Sequence, residues 1–305
     1  MTPRQKQRRR LLSAAAFCCL LCVAPAAAQP SLRRTQRTVL LGETAVTVNV
    51  YEKEGGRVTF FAPHHNERNA SAAARDAVAR NGGRLVEVVS YDEKGAPARN
   101  LSFRLRGRGY VVDPNRIFTE NGRRCGVAPE AWPAVEGFAA GLLEIVFAAG
   151  GRRLRDGESF VVAVHNNADS DEKIGRERAA DLTAAGFLRA GRFNNFSHGP
   201  FQEQAAGVYL SNREADEDNF VLVSTPRLMA HFAESGFHVV VQKPAAELRD
   251  KRCGVDDGSL SVYSALQGIP YVNLEADAGS GGPRQREMLG AVYELLPKAA
   301  VESQP

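Results

Sequence analysis

The sequence predicts an α/β fold in which a mostly parallel or mixed sheet carries helices on both faces. Two observations lead to this prediction. Apolar segments of strand length alternate along the chain with segments of helical periodicity, the order expected when helices cover both faces of a sheet. Residues 160–164 are apolar at every position, as in a strand buried on both faces. Residues 29–305 suffice for one large domain of this kind or two small ones.

Each predicted element has a local reason. Strands are predicted where short runs are apolar or alternate in polarity, and they cover residues 39–50, 58–62, 84–89, 101–105, 160–164, 220–223, 238–242 and 271–274. Helices are predicted where apolar residues recur at helical spacing, and they cover residues 71–80, 134–149, 226–234, 259–266 and 284–296. Pro63 ends the second strand, and Gly150 follows the second helix.

Residues 1–28 have the composition of a secretory signal peptide. Basic residues come first, an apolar run covers 11–23, and three alanines at 26–28 form a small-residue cleavage site. We expect this segment to be removed and the protein to be exported, to the periplasm or outside the cell. The apolar run is shorter than the roughly 20 residues of a membrane span, so no stable membrane anchor is expected after cleavage.

Removing this segment changes the charge and the cysteine count. It holds five of the 39 Lys and Arg and none of the 35 Asp and Glu, which leaves 34 against 35 and a net charge of −1. The sequence pI of about 8.9 therefore gives no support for a nucleic-acid partner. Of the five cysteines, Cys125 and Cys253 remain. An exported protein can form a disulfide between them, but the sequence leaves the pairing open.

The first motif with chemical content is His64-x-x-Glu67, directly after the predicted strand 58–62. An imidazole and a carboxylate three residues apart in a turn can converge on one Zn²⁺ ion. The helical H-E-x-x-H pattern does not occur in the sequence. Alone, the pair is a weak signal, because histidine and glutamate fall at this spacing by chance in many proteins.

The second motif is Asp113-x-Asn115-Arg116, preceded by Arg108. It places a carboxylate, an amide and a guanidinium within four residues, and a guanidinium is the natural bidentate partner of a substrate carboxylate. The alternative is a surface turn rich in arginine, which the surrounding sequence also fits.

Two further residues, His165 and Glu275, follow apolar strands. Taken singly, a histidine in this position is more often a capping or core residue, and a glutamate at a strand end is usually solvated at the surface. Together with His64 they would meet at one edge, because ligands of α/β sheets bind outside the carboxyl ends of the strands. His64, Glu67 and His165 then form the open His₂Glu set of a catalytic zinc site, and Glu275 is left to move a proton.

The order of these motifs resembles the zinc carboxypeptidase superfamily, and within it the aspartoacylase and succinylglutamate desuccinylase branch. The resemblance rests on H-x-x-E, then Arg with Asp-x-Asn-Arg-x-Phe, then a strand ending in His-Asn, then a strand ending in Glu, and it spans residues 63–276. It implies a zinc-carboxypeptidase-like fold. It also implies zinc ligation by His64, Glu67 and His165, with Glu275 as general base and acid.

For the substrate, the resemblance implies further roles. Arg108 would stabilise the oxyanion, Asn115 and Arg116 would hold a substrate carboxylate, and Asp113 would orient a zinc-bound histidine. The superfamily's peptidases have a tyrosine shortly before the glutamate, and Tyr263 is the candidate, although its spacing fits loosely and helical packing explains it as well. The 110 positions between His165 and Glu275 are more than the family leads us to expect, so we predict an insertion near 192–256.

These expectations combine into a function. We expect an exported zinc-dependent hydrolase that cleaves amide bonds in carboxylate-bearing substrates, first of all a carboxypeptidase acting on peptides or peptidoglycan stem peptides. An aspartoacylase-like N-acyl-amino-acid deacylase is the alternative within the same chemistry. A non-catalytic binding protein, in which the four motifs serve only the scaffold, is the alternative of another class.

Overall fold

The computed structural model describes residues 31–147, 160–167, 187–188, 203–214, 216 and 218–302. The predicted signal peptide and part of the predicted insertion, including 192–202, lie outside these residues. Within the described part of the chain, no helix is long and apolar enough to cross a membrane.

Ten of the described strands form one mixed sheet. In chain order its strands are β1 Arg33–Leu41, β2 Thr44–Lys53, β3 Val58–Ala62, β4 Gly83–Val88, β7 Phe160–Asn167, β8 Phe187–Leu188, β9 Ala205–Tyr209, β10 Phe220–Val223, β11 His238–Gln242 and β12 Tyr271–Asp277. Their order across the sheet is β1-β2-β4-β3-β7-β12-β10-β11-β9-β8. The remaining strands, β5 Leu101–Leu105 and β6 Arg108–Val112, form a separate antiparallel hairpin.

The centre of the large sheet is parallel. Strand β3 pairs in parallel with β4 and β7, and β7 pairs in parallel with β12. The carboxyl ends of these four strands therefore meet at one edge. The outer pairs β1–β2, β2–β4 and β10–β12 are antiparallel.

Helices cover both faces of this sheet. They are α1 Arg68–Asn81, α2 Glu120–Gly126, α3 Trp132–Phe147, α4 Pro226–Glu234, α5 Ala245–Leu248, α6 Leu260–Leu266 and α7 Gly282–Glu302, with a short 3₁₀ turn at Pro129–Ala131. In β7, Val161 and Ala163 pack in the core on the α3 side, whereas Val162 and Val164 pack in the core on the side of α1 and α7. A strand buried on both faces explains the continuous apolar run. The α/β prediction is confirmed.

The prediction of one strand over residues 39–50 is wrong, because the segment is part of a hairpin. Strands β1 and β2 turn at Gly42 and Glu43, and Gly42 adopts a left-handed φ of 61° that favours glycine. Strands β7 and β12 also extend beyond their predicted ends, to Asn167 and Asp277. His165 and Glu275 consequently lie within the last residues of their strands.

A disulfide joins Cys125 and Cys253, the two cysteines that remain after the predicted cleavage, with their Cα atoms 5.7 Å apart. It ties α2 to the segment that precedes α6. The same two segments approach closely at glycines, since a Cβ on Gly122 would lie 2.1 Å from the Cα of Gly258. These contacts hold the Asp-x-Asn-Arg motif beside the segment 256–260.

Candidate metal centre

Three elements at the carboxyl edge of the sheet bring His64, Glu67 and His165 together. His64 lies in the turn after β3, Glu67 is the N-cap residue of α1, and His165 lies in the neighbouring strand β7. One nitrogen or oxygen ligand atom from each lies within 4.8 Å of the others, and all three side chains are buried. The fold therefore assembles the three predicted ligands in one place.

The three side chains also point at one another. The Oε1 atom of Glu67 lies 2.8 Å from Nδ1 of His64, and its Oε2 atom lies 2.9 Å from Nδ1 of His165. Two imidazole nitrogens and one carboxylate are the donor set that catalytic Zn²⁺ sites use, with a further position left open. The residues present therefore fit a zinc ion.

Asp113 and Arg99 surround these three residues. Asp113 Oδ1 lies 2.9 Å from Nε2 of His64, the position from which a carboxylate fixes the orientation of a metal-binding imidazole. Arg99 donates to Oε1 of Glu67 at 2.8 Å and approaches Asp113 Oδ2 at 3.4 Å. No sequence motif marks Arg99.

These contacts shift the proton affinities of the group. Burial by itself raises the pKa of Glu67, but His165 and His64 outweigh burial and hold that pKa well below its ordinary value. The pKa of Asp113 is likewise held low, because contacts with His64 and the nearby cations of Arg116 and Arg99 outweigh its burial. Burial lowers the pKa of His64, yet Glu67 and Asp113 raise it above its ordinary value. Both carboxylates are therefore ionised at neutral pH.

Glu275 lies directly opposite His165 on the adjacent parallel strand β12, where the two are register partners. Its side chain is buried and accepts a hydrogen bond from Nδ2 of Asn273 at 2.9 Å. Burial raises the pKa of Glu275, and the neighbouring carboxylate of Glu67 adds to the effect although His165 opposes it. A carboxyl group with a raised pKa beside a metal-ligand set is suited to accepting and releasing a proton.

The predicted substrate residues Asn115 and Arg116 line the same cavity as Glu275. This cavity has a volume of about 190 Å³, and its lining includes Glu67, Arg99, Asn115, Arg116, His165, Gln204, Asp257, Ser259, Ser261, Asn273 and Glu275. The Oδ1 atom of Asn115 accepts a hydrogen bond from the backbone N–H of Leu260, and its Nδ2 atom lies 3.5 Å from Nε2 of His165. The amide is therefore held rigidly beside the candidate metal ligands.

The guanidinium of Arg116 is partly paired. Its Nε atom lies 3.2 Å from Oδ2 of Asp257, and its Nη1 atom donates to the carbonyl oxygen of Asn115 at 2.7 Å. An arginine carries five N–H donors, so the side chain retains donors for a ligand in the cavity. Asp257 was not identified from the sequence, although the polar run Asp256-Asp257-Gly258-Ser259 before an apolar helix was an available signal.

Two predicted site residues lie elsewhere. Arg108 is exposed at the turn end of the β5–β6 hairpin, opposite Leu105, whereas Asp113 follows the other end of β6. The rise along a strand places these ends ~14 Å apart. Tyr263 packs in α6 near the rings of Phe118 and Phe147, at centroid distances of 6.4 Å and 6.3 Å. Neither Arg108 nor Tyr263 lines the 190 Å³ cavity.

Two buried polar atoms of the cavity lining have no hydrogen-bond partner among the described residues. They are Nε2 of Gln204 and Oδ1 of Asn273. An unsatisfied buried donor or acceptor costs the desolvation free energy of that atom, so a ligand or ordered water in the cavity would relieve the cost. The sequence carries no signal for either residue, because both depend on packing between distant strands.

No family model and no curated protein sequence matches this chain. Among solved structures, it is similar to a candidate metallopeptidase from Shewanella baltica OS155, at 13% identity and a TM-score of 0.36, covering 87% of this chain and 86% of that one. It is also similar to an aspartoacylase family protein from Mesorhizobium loti, at 13% identity and a TM-score of 0.35, covering 86% of this chain and 68% of that one.

A succinylglutamate desuccinylase from Silicibacter sp. TM1040 is similar at 12% identity and a TM-score of 0.40, covering 91% of this chain and 69% of that one.

Proposed function

We propose that this chain is a zinc-dependent hydrolase that cleaves an amide bond in a substrate bearing a free carboxylate. The observation that carries the proposal is the arrangement of two glutamates around one cavity. Glu67 is bound between two imidazoles as a metal ligand would be, and Glu275 is buried opposite His165 with a raised pKa. A metal-ligand set and a separate proton carrier are the two requirements of metal-assisted hydrolysis.

In this mechanism His64, Glu67 and His165 hold the zinc ion, and Asp113 keeps the imidazole of His64 in its ligating orientation. When bound, zinc would supply a Lewis acid that polarises an amide carbonyl and lowers the pKa of water to about 7. Glu275 accepts the proton of the attacking water and then delivers it to the leaving amine.

Arg116 and Arg99 line the cavity and would interact with negative charge on the substrate. Arg116 retains free donors beside Asn115, so it is placed to hold the substrate carboxylate. Arg99, rather than Arg108, lines the cavity next to Glu67, and we assign to it the stabilisation of charge that develops on the carbonyl oxygen.

Within this chemistry we propose a carboxypeptidase acting on peptides or peptidoglycan stem peptides, because these substrates are amides that end in carboxylates. The cavity volume of about 190 Å³ is sufficient for a single terminal residue. An N-acyl-amino-acid deacylase would use the same residues and the same small cavity, so it is the second candidate.

The experiment is a metal analysis combined with a substrate panel. We expect about one zinc per chain in protein prepared with zinc available. Peptides with free carboxyl termini, the same peptides with amidated termini, and N-acyl amino acids would form the panel. Release of the terminal residue from free but not amidated peptides supports the carboxypeptidase, whereas cleavage of N-acyl amino acids alone supports the deacylase.

Metal-free protein from such a preparation would contradict the zinc assignment. Zinc-loaded protein that binds these compounds without cleaving any of them would point instead to the non-catalytic binding protein. Arg116→Ala supplies an internal check, because it should raise KM for free-carboxylate substrates much more than for amidated ones.

We also propose that the enzyme works outside the cytoplasm. The N-terminal sequence 1–28 supports export, and the Cys125–Cys253 disulfide is compatible with an oxidising compartment. Sequencing the N-terminus of protein recovered from the source cells tests this proposal. A start at or near Gln29 is expected, and an intact N-terminus on cytoplasmic protein would contradict it.

A further inference from the structure

A second cavity lies on the α1 side of the sheet, at the edge formed by β1, β2 and β4. It has a volume of about 470 Å³ and lies between the first turns of α1 and the exposed part of the sheet. It shares none of its lining residues with the 190 Å³ cavity of the candidate metal centre. The proposed hydrolase mechanism therefore does not use it.

The floor of this cavity is polar where a sheet covered by a helix is normally apolar. Asn49 and Glu87 are buried register partners on β2 and β4, and Nδ2 of Asn49 donates to Oε2 of Glu87 at 3.0 Å. Gln36 and Arg34, on β1, both donate to Oδ1 of Asn49. The opposite face of the same strands is apolar, with Val48, Val86 and Val88 in the core. The polar floor is thus a local feature of one face.

The rim of the cavity gathers positive charge. Arg34 from β1 and Arg75 from α1 both approach the ring of Tyr51, with Cζ atoms 5.7 Å and 5.6 Å from its centroid. Arg68 completes the rim from the first turn of α1. Among the described residues, no carboxylate forms an ion pair with any of the three arginines. All three side chains are exposed and retain N–H donors for an anionic ligand.

Ser71 provides an independent indication of a ligand. It lies on α1 between Arg68 and Arg75, lines the cavity and is only 7% exposed. Its Oγ atom has no hydrogen-bond partner among the described residues. A buried hydroxyl without a partner is costly, so a ligand oxygen that reached it from the cavity would relieve that cost.

We propose that this cavity binds an anionic ligand with several ionised carboxylate or phosphate oxygens. The charged oxygens would lie at the rim, where the guanidinium of Arg34 or Arg75 can donate two parallel hydrogen bonds to one anionic group. Ser71 would donate a further hydrogen bond from the side of α1. The amide of Asn49 and the carboxylate of Glu87 on the floor suit a ligand that also carries hydroxyl or amine donors.

The site is independent of the proposed hydrolase activity but lies close to it in the chain. Arg68 lines this cavity and also the groove that contains Glu67 and Arg99. His65, next to the candidate ligand His64, lines the cavity as well, with Nδ1 2.6 Å from the carbonyl oxygen of Ser90. A bound anion would therefore contact the turn that carries two candidate zinc ligands.

The test is calorimetric titration of the purified full chain with inorganic phosphate and, separately, with citrate, at low ionic strength. Saturable binding of about one anion per chain is expected for at least one probe, and the better probe identifies phosphate or carboxylate as the preferred group. Arg34→Ala and Arg75→Ala should each weaken binding about tenfold or more, since hydrogen bonds to charged groups are among the stronger ones.

Two variants serve as matched controls. Arg37→Ala removes the same charge from the opposite face of β1, and Arg80→Ala removes it from α1 outside the cavity lining. Both should leave the affinity within about twofold. Binding should also persist after chelation of metal, because none of the three candidate zinc ligands lines this cavity. The proposed hydrolase could therefore fail while this site stands, and the reverse also holds.

Ser71→Ala tests whether the Ser71 hydroxyl binds the ligand or is only an unfavourable buried group. Without ligand, its melting temperature should equal or exceed that of the wild type, because an unpaired buried hydroxyl is removed. With ligand, the affinity should fall several-fold. Absence of saturable binding of both probes would overturn the proposal. Equal losses in Arg34→Ala and Arg37→Ala would also overturn it, because they would indicate non-specific attraction to net charge.

Discussion

Glu67 and Glu275 are two buried carboxylates that line one cavity, and their surroundings push their proton affinities in opposite directions. Glu67 faces two imidazoles and the guanidinium of Arg99, and its pKa is held well below the ordinary value although burial acts against this. Glu275 receives one hydrogen bond from the neutral amide of Asn273, and burial raises its pKa. The same residue type thus has its pKa lowered in one position and raised in the other.

This difference agrees with the two roles proposed for the glutamates. A metal ligand must stay ionised, and a general base must be able to take up and release a proton near the working pH. Paired groups whose environments separate their pKa values commonly divide acid–base work in this way. Variants of the two glutamates can test whether this division is real.

The largest effect is expected on metal content. Glu67→Gln replaces a ligand carboxylate by an amide of the same size, and we expect zinc to fall from about one per chain to near zero. Glu275→Gln should keep its zinc, because Glu275 is assigned no contact with the metal. Elemental analysis of both dialysed variants measures this. Equal zinc loss in the two variants would mean that Glu275 is a ligand and that the division is wrong.

The next effect concerns turnover in Glu275→Gln. Glutamine preserves size and hydrogen bonding but cannot accept a proton, so we expect kcat to fall roughly 10²–10⁴-fold with a smaller change in KM. Steady-state kinetics on the best substrate of the panel measures both constants. Near wild-type turnover with full zinc would mean that another residue transfers the proton. The role that the family resemblance implies for Glu275 would then be incorrect.

The two arginines named for the oxyanion can be separated by a matched pair of variants. Arg99 lines the cavity and contacts Glu67, whereas Arg108 is exposed at the hairpin turn. We expect Arg99→Ala to lower kcat/KM roughly 10–100-fold, as for loss of one charge-assisted hydrogen bond, while Arg108→Ala changes it by less than about twofold. A large loss in Arg108→Ala would restore the role that the family resemblance implies.

The sequence predicted the parts of this site that depend on local spacing. His64 and Glu67 lie three residues apart in a turn, and His165 and Glu275 lie near the ends of strands, so the α/β prediction already implied one common edge. Most strand and helix positions could also be predicted, because apolar periodicity is a local property of the sequence. The structure added that His165 and Glu275 are direct register partners.

Other parts depend on tertiary packing, for which a single sequence carries little signal. Arg99 reaches the cavity from an irregular segment between β4 and β5, so no periodicity or motif marked it. The motif pointed to Arg108, but the β5–β6 hairpin carries that residue away from the site. The predicted strand 39–50 was wrong because Gly42 and Glu43 form a turn inside an otherwise strand-like run. The insertion near 192–256 stays a prediction.

The smallest expected effect is on stability, and it tests the two pKa directions themselves in protein stripped of metal. The raised pKa of Glu275 means that its proton stabilises the fold below its ordinary pKa of 4.5, and that this stabilisation is lost as pH rises through the raised value. Glutamine cannot ionise. Glu275→Gln should therefore melt at a higher temperature than the wild type at pH 7 to 8, and the difference should shrink towards pH 4.5.

Glu67→Gln should show the opposite trend. The depressed pKa of Glu67 means that its ionised form stabilises the metal-free fold above 4.5, and that this stabilisation is lost only as pH falls through the depressed value. The variant should therefore melt below the wild type at pH 7, and the difference should diminish in acid. Melting curves from pH 8 down to well below pH 4.5 measure both differences and their trends, and for a chain of this size a change of 1 kcal/mol corresponds to ~2–4 °C. If the two differences share one sign at pH 7, the opposed environments of the two glutamates do not exist, and the assignment of ligand and base loses its physical basis.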